Sequence, residues 1–218
     1  MEYEIKGLVF DFDGVIIAST IEGLERFRHV AELLDLEVTD AIMDHVRGLW
    51  GKPATELVKE FWPYTDAEIF KNVWDRYDSQ NPISLFPGIK DALTRLSQTF
   101  TLGLLTSRDF STHFQLRHHG LTPLFTYVQT LSDCPLPKPH PSSIKPLLEK
   151  YKRKMIDMRN IVFIGDSTHS DFCLAKEIGM NFIGVTWGQA TREDFQRAGL
   201  RSDYIVDSVP DLLHLLGK

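Results

Sequence analysis

The amino-acid sequence predicts an α/β fold, a doubly wound parallel sheet interrupted by an inserted all-helical domain. Three observations carry this. Short apolar runs alternate with helix-length amphipathic stretches from residue 85 onward, the pattern of parallel strands joined by crossover helices. Another apolar run, Leu8-Val9-Phe10, stands alone near the N-terminus. Between them, residues 15–84 repeat with helical spacing and show no strand alternation. The expected division is a core of residues 1–14 and 85–218 with a helical cap of residues 15–84. A chain of 218 residues is long enough for one sizeable core with a smaller insert.

Element by element, Ile21–Leu36 places Leu24, Phe27, Ala31 and Leu34 on one helical stripe. Further helices are expected over Thr39–Arg47, Ala54–Phe61 and Asp66–Ser79. Most of the aromatics here (Phe61, Trp62, Tyr64, Phe70, Trp74 and Tyr77) should fill the core of a small bundle. Trp50 stands apart in the glycine-bounded loop Gly48-Leu49-Trp50-Gly51. Asn81-Pro82 and Phe86-Pro87-Gly88 break the pattern. Helix Ile89–Gln98 then leads to strand Thr101–Leu105, helix Ser111–His119 to strand Tyr127–Leu131, and helix Pro141–Tyr151 to strand Ile161–Ile164. Helix Asp171–Ile178 precedes strand Phe182–Val185, helix Arg192–Arg197 precedes strand Tyr204–Val206, and helix Asp211–Leu216 closes the series.

A formal charge of −6 and a pI near 5.7 argue against nucleic acid or an anionic membrane as partner. The one basic run, Lys150–Lys154, falls at the end of a predicted helix, where the helix dipole favours cations. Cys134 and Cys173 form no metal-binding or redox spacing and read as free thiols of a reducing compartment. The polar N-terminus lacks a signal-peptide core and no apolar run reaches membrane-spanning length, so a soluble cytoplasmic protein is expected.

Four clusters carry chemistry. Residues two apart on a strand point the same way, so Asp11 and Asp13 start on one side of the first strand's carboxyl end, where Gly14 permits a sharp turn. Buried together they ask for a metal or a shared proton; as solvated turn residues they would need neither. Strand Thr101–Leu105 ends in Thr106-Ser107-Arg108-Asp109, where a hydroxyl ahead of a helix suits a phosphate, although Ser107 or Asp109 serving only as helix cap is the plainer reading. Lys138 is flanked by Pro137 and Pro139, which fixes its backbone, and its point charge suits a phosphate or crowded carboxylates. Strand Ile161–Ile164 ends in Gly165-Asp166, with Asp171 five positions later at a helix start; oxygen ligands of this kind suit Mg²⁺, while Asp171 alone reads as a cap. With the first strand central and the Thr106 and Asp166 strands on either side, all four clusters meet where the winding of the sheet reverses.

In this order, the four clusters resemble the motifs of the haloacid dehalogenase superfamily, and the resemblance covers nearly all of the chain. It implies a Rossmann-like core and a Mg²⁺-dependent phosphatase acting on a small phosphorylated metabolite. Asp11 would be the nucleophile, passing through an aspartyl-phosphate, and Asp13 the general acid and base. Thr106, Ser107 and Lys138 would bind phosphate. Mg²⁺ would be held by Asp11, Asp166 and the backbone carbonyl of Asp13, with Asp171, Ser170 or Ser167 completing the second layer. Haloalkanoate dehalogenases lack the second aspartate, so Asp13 points to the phosphotransfer branch. Two departures stand out: the five-position spacing of Asp166 and Asp171, where four is commoner, and Ala18, where many relatives carry Asp before Ser.

The cap loop His45–Lys52 is similar to the specificity loop of helical-capped relatives, which makes Arg47, Trp50 and Lys52 candidate substrate contacts; both cations read equally well as surface charges. The overall pattern is similar to phosphoglycolate phosphatases and β-phosphoglucomutase-like enzymes. A mutase or an inorganic pyrophosphatase on the same core is the alternative, and a non-catalytic scaffold is the reading from another class. A monomer or homodimer is expected.

Overall fold

The computed structural model describes residues 4–49, 54–108, 111–134 and 136–218, and the chain forms two compact units, Ser19–Ile83 and Met1–Ala18 with Ser84–Lys218. Residues 15–18 and 84 thus join the α/β unit and not the helical insert. The cause is local: the Ile16 and Ile17 N–H groups both donate back to the Phe12 carbonyl, and the Ala18 N–H donates to Ser84 O at 2.8 Å.

The helical unit comprises α1 (Ser19–Leu33), α2 (Asp40–Gly48), α3 (Ala54–Phe61) and α4 (Ala67–Asp78). Thr39 and Asp66, expected inside their helices, stand just ahead of them as caps, accepting the N–H groups of Ile42 and Glu68. Phe27 lies at the centre, with its ring 5.0 Å from Phe70 and 5.8 Å from Trp62. Val30, Ala31, Met43, Val46, Leu57 and Val58 complete this core, each large apolar side chain contributing roughly 1.5–3 kcal/mol. Trp62 can be buried because its Nε1–H donates to Glu37 O. Tyr64 is not a core residue; it is fully exposed. The stripe of α1 carries an unexpected buried cation, Arg26, which pairs with Asp78 at 3.0 Å and Glu22 at 3.3 Å and donates to the carbonyls of Asn81 and Pro82. It ties the first helix of the unit to its last segment.

The α/β unit holds strands β1 (Gly7–Phe10), β2 (Thr101–Leu105), β3 (Tyr127–Gln129), β4 (Ile161–Gly165), β5 (Asn181–Val185) and β6 (Ile205–Val206). Its helices are α5 (Ile89–Ser97), α6 (Thr112–His118), α7 (Lys145–Arg153), α8 (Cys173–Ile178), α9 (Arg192–Ala198) and α10 (Val209–Leu215). The sheet is parallel with the order β3-β2-β1-β4-β5-β6, so β1 is flanked by β2 and β4 as expected. Strands β1 and β4 are buried throughout and read as continuous apolar runs because helices cover both faces. Under the sheet, Tyr151 at the end of α7 is fully buried and donates its hydroxyl to the carbonyls of Leu8 and Thr101, with burial pushing its pKa up. The edge strands β3 and β6 have only three and two residues.

Helix Asp171–Ile178 starts differently from expectation. Thr168–Phe172 forms one π-helical turn, in which the Phe172 N–H donates to Ser167 O at 3.0 Å, and α8 begins only at Cys173. The wider turn takes up the longer spacing between Asp166 and Asp171. Among the described residues no helix is long and apolar enough to cross a membrane.

Candidate active site

The reversal of winding at β1 leaves the carboxyl ends of β1, β2 and β4 side by side, and each ends in a polar residue. Asp11 continues β1 and donates its N–H to Ile164 O at 2.9 Å, so the two strand ends are bonded where their aspartates begin. Gly14 then turns the chain with a φ of 74°, in the left-handed region that glycine enters without steric cost.

Asp11 is buried, and its Oδ1 accepts the Phe12 N–H at 2.7 Å and the Lys138 ammonium at 2.7 Å. Lys138 also meets Asp171 Oδ1 at 2.7 Å and lies 5.7 Å from the centre of the Phe163 ring. Only 4 % of the lysine side chain is exposed. Burial works to lower its pKa, but Asp11 and Asp171 overcome this and raise it.

Asp171 engages protein donors with both oxygens. Its Oδ2 accepts the backbone N–H groups of Asp166 and Ser167 at 3.2 Å, and its Oδ1 takes Lys138 and the Ser170 hydroxyl. Asp166 accepts the Gln189 N–H on Oδ2 at 2.8 Å. Asp11, Asp166 and Asp171 are all buried, with oxygens within 4.8 Å of one another. Burial and then the neighbouring Asp171 push Asp11 well above the usual carboxylate range and Asp166 up to about 8. Three carboxylates and one ammonium leave this cluster short of two positive charges when fully ionised, and its donors are all oxygens, which fits a hard divalent cation. Among the described residues Asp11 Oδ2 and Asp166 Oδ1 have no protein donor and are the oxygens open to one.

Asp13 faces the other side. Its carboxylate lies in the fork of Arg108, with Nη2 2.7 Å from Oδ1 and Nε 3.1 and 3.2 Å from the two oxygens. Thr106 lies 3.5 Å from Asp13 Oδ2 through its hydroxyl, which also accepts the Arg108 N–H at 3.0 Å. Thr106 is buried and Ser107 exposed. Neither Ser107 nor Thr106 caps α6; Ser111 precedes that helix and accepts Arg108 Nη1 with its hydroxyl. Asp109 lies outside the described residues.

In the helical unit, Arg47 is exposed and paired with Asp44 at 2.7 Å. Trp50 and Lys52 lie outside the described residues.

Sequence reasoning missed two parts of the site. Arg108 was passed over between Ser107 and Asp109, although a cation two positions after the phosphate-corner hydroxyl was visible. The loop after β5 was missed as well. Trp187 Nε1–H donates to Val15 O at 3.1 Å, the Gln189 N–H holds the Asp166 carboxylate, and a Cβ at Gly188 would collide with Asp166 and the Gly14 carbonyl. This loop closes against both aspartate corners, and only glycine fits at its centre. Topology was the available signal, since every strand end beside the reversal borders the same crevice.

Residues 8–185 match the model of a family described as haloacid dehalogenase-like hydrolase. "Probable phosphatase IndB" of Dickeya dadantii is 28% identical, over 94% of this chain and 91% of its own. The phosphoglycolate phosphatase of Synechococcus elongatus is 25% identical, over 96% of each chain. Among solved structures, a HAD-superfamily hydrolase of subfamily IA from Geobacter sulfurreducens is 25% identical with a TM-score of 0.73, covering 98% of this chain and 97% of its own. The HAD-hydrolase YfnB of Bacillus subtilis, described as bound to magnesium, shares the fold at 20% identity with a TM-score of 0.80, over 99% of this chain and 100% of its own.

Proposed function

The chain belongs to the haloacid dehalogenase-like hydrolase family, and within it we propose that this protein is a Mg²⁺-dependent phosphatase of small-metabolite phosphomonoesters. The observation that carries the reading is the buried Asp11–Lys138–Asp171 arrangement beside Asp166. A carboxylate aimed from a strand end, next to a fixed ammonium, is equipped to attack an anionic phosphorus centre.

In this reading Asp11 attacks phosphorus, the bond from phosphorus to the alcohol oxygen breaks, and the alcohol leaves with a proton from Asp13. The Asp13 carboxylate then takes a proton from water as the water oxygen attacks the phosphorus of the aspartyl-phosphate. Inorganic phosphate departs and the Asp11 carboxylate is restored. Thr106, the Ser107 corner and Lys138 hold the equatorial oxygens of the transferred group. Asp11 Oδ2, Asp166 Oδ1 and the Asp13 carbonyl are the oxygens we assign to Mg²⁺. Bound there, the ion supplies the positive charge that lets a carboxylate approach a phosphate. Asp171, with both oxygens engaged by protein donors, is assigned to holding Lys138 and the Asp166 corner in place. We assign the helical unit the part of a cap that selects the substrate.

The relatives named phosphoglycolate phosphatase make a short phosphorylated carboxylate the first substrate to try. The test is phosphate release from a panel of phosphomonoesters including 2-phosphoglycolate, with Mg²⁺ and with excess chelator. Turnover of at least one ester that stops on chelation is expected. Full turnover in chelator would overturn the metal assignment, and a panel without any turnover would overturn the phosphatase reading.

A further inference from the structure

We propose that Gln129 is a positioning residue that locks the Thr106 corner to the Lys138 loop, with one bound water molecule shared between its side chain and Ser143. This rests on the reading of Thr106 and Lys138 as partners of the phosphate.

Gln129 is the last residue of β3 and only 1 % of it is exposed. Its backbone carbonyl accepts the Thr106 N–H at 3.1 Å, just beyond the end of β2. Its side chain reaches the other way: Nε2 donates to the Ser143 carbonyl, in the short helical turn Pro141–Ile144 that follows the Lys138 loop. One residue thus bonds both walls of the corner, the strand end through its main chain and the loop through its amide. The turn is itself fastened to that loop, since the Ser143 N–H donates to His140 O at 2.8 Å and the His140 N–H to Pro137 O at 3.0 Å.

This arrangement leaves two polar atoms over. A carbonyl can only accept, so the amide must give Ser143 its nitrogen and turn its oxygen away. Gln129 Oε1 and the Ser143 hydroxyl are both buried, and neither meets a protein partner. Polar atoms left unpaired at that depth are costly, and buried water is the usual remedy. Both residues line one pocket of about 10 Å³, together with Thr106, Cys134 and Lys138. That space holds one water and nothing larger, and a single water can donate to Oε1 and bond the Ser143 hydroxyl at once. With it in place both ends of the Gln129 amide are engaged, and a chain of hydrogen bonds sets the spacing of Thr106 and the Lys138 loop.

The experiment measures binding of inorganic phosphate by calorimetry, with Mg²⁺, to the wild type, Ser143→Ala, Gln129→Met and the double variant. A crystal structure of the wild type, at a resolution that shows ordered water, accompanies it. The crystals should show one water within hydrogen-bond distance of Gln129 Oε1 and Ser143 Oγ. Ser143→Ala keeps the carbonyl and removes one partner of the water, and should weaken phosphate binding about 3-fold; Gln129→Met should weaken it about 10-fold. The double variant should bind phosphate as Gln129→Met does, because the water has already lost its place. A residue that only holds the fold together would lower the melting temperature and leave the phosphate Kd unchanged, and that result overturns the proposal. So do a dry pocket in the wild type and losses that simply multiply in the double variant. If Gln129→Met does not fold, Ser143→Ala decides alone, and an unchanged Kd there overturns the proposal. A wild type that binds no phosphate overturns the reading of the Thr106 corner along with it, whereas phosphate held equally by all four proteins overturns this proposal alone.

Discussion

The two sides of the carboxylate cluster hold their cations in opposite ways. Lys138 is 4 % exposed and sits between Asp11 and Asp171, both nearly inaccessible to water. Arg108 holds the Asp13 carboxylate, which is one-third exposed. A buried ammonium between two buried carboxylates has no other place where its charge is tolerated, so it acts as a fixed part of the floor. A guanidinium on an exposed partner can trade that partner for another anion at little cost. The difference leaves the Asp11 side dry and fixed and the Asp13 side reached by water.

Replacing the two aspartates should break this comparison most visibly. Asp11→Asn removes the proposed nucleophile, and turnover should fall by on the order of 10⁴- to 10⁶-fold. Mass spectrometry of rapidly quenched protein should then find no phosphoryl adduct; near-normal turnover would end the covalent mechanism. Asp13→Asn should cost about 10²- to 10⁴-fold. With nitrophenyl phosphate it should give a nitrophenol burst followed by slow turnover, with the phosphoryl group retained on Asp11. The contrast between an empty and a loaded aspartate is the measurement, and identical adduct levels in the two variants would mean the roles are misassigned.

Lys138→Met tests the claim that one cation belongs to the floor. It strands Asp11 and Asp171 without their ammonium, and chemical denaturation should show a loss of about 3–5 kcal/mol in the metal-free protein. Arg108→Met, at a partly exposed pair, should cost no more than about 1 kcal/mol. Equal losses would erase the distinction between the two sides.

The last comparison concerns pH and metal. Burial and Asp171 hold Asp166 at a pKa of about 8, so the folded protein keeps a proton there that the unfolded chain releases far earlier. Its contribution is therefore fully present below the usual carboxylate range and is lost as pH rises toward 8. Metal-free protein should melt lower at about pH 8.5 than at about pH 6, and saturating Mg²⁺ should restore the difference, by roughly 2.7 kcal/mol at a hundredfold excess over Kd. The Mg²⁺ gain should be larger at the higher pH, because the ligands must shed protons to bind. A gain that is the same at both pH values would remove Asp166 from the metal site.

Strand ends were the legible part of this site. Leu8–Phe10 and Ile161–Ile164 announce buried strands by composition, and an aspartate after each is conspicuous because nothing else in those runs is polar. Topology then brings Asp11 and Asp166 together without further information. Arg108 was not legible because its importance lies in where its tip goes, 95 positions away in sequence at Asp13. The Trp187-Gly188-Gln189 loop was hidden for a similar reason: a backbone N–H and a missing side chain do the holding, and neither has a signature in residue chemistry. In the helical unit, periodicity located the four helices to within a few residues, but buried Arg26 contradicts the pattern that found them. Its charge is tolerated because Asp78, Glu22 and two carbonyls surround it, partners that only the folded chain supplies.

The brevity of β3 and β6 reaches beyond the site. A parallel sheet left open on both sides exposes unpaired N–H and C=O groups along its margins, an invitation for a neighbouring chain to add a strand. Here the margins are three and two residues long, and beyond Val206 the chain leaves the sheet at Asp207, whose carboxylate is taken by Arg192 and by the Thr186 hydroxyl. Six strands can therefore stack into a deep apolar sheet while offering almost no template for self-association.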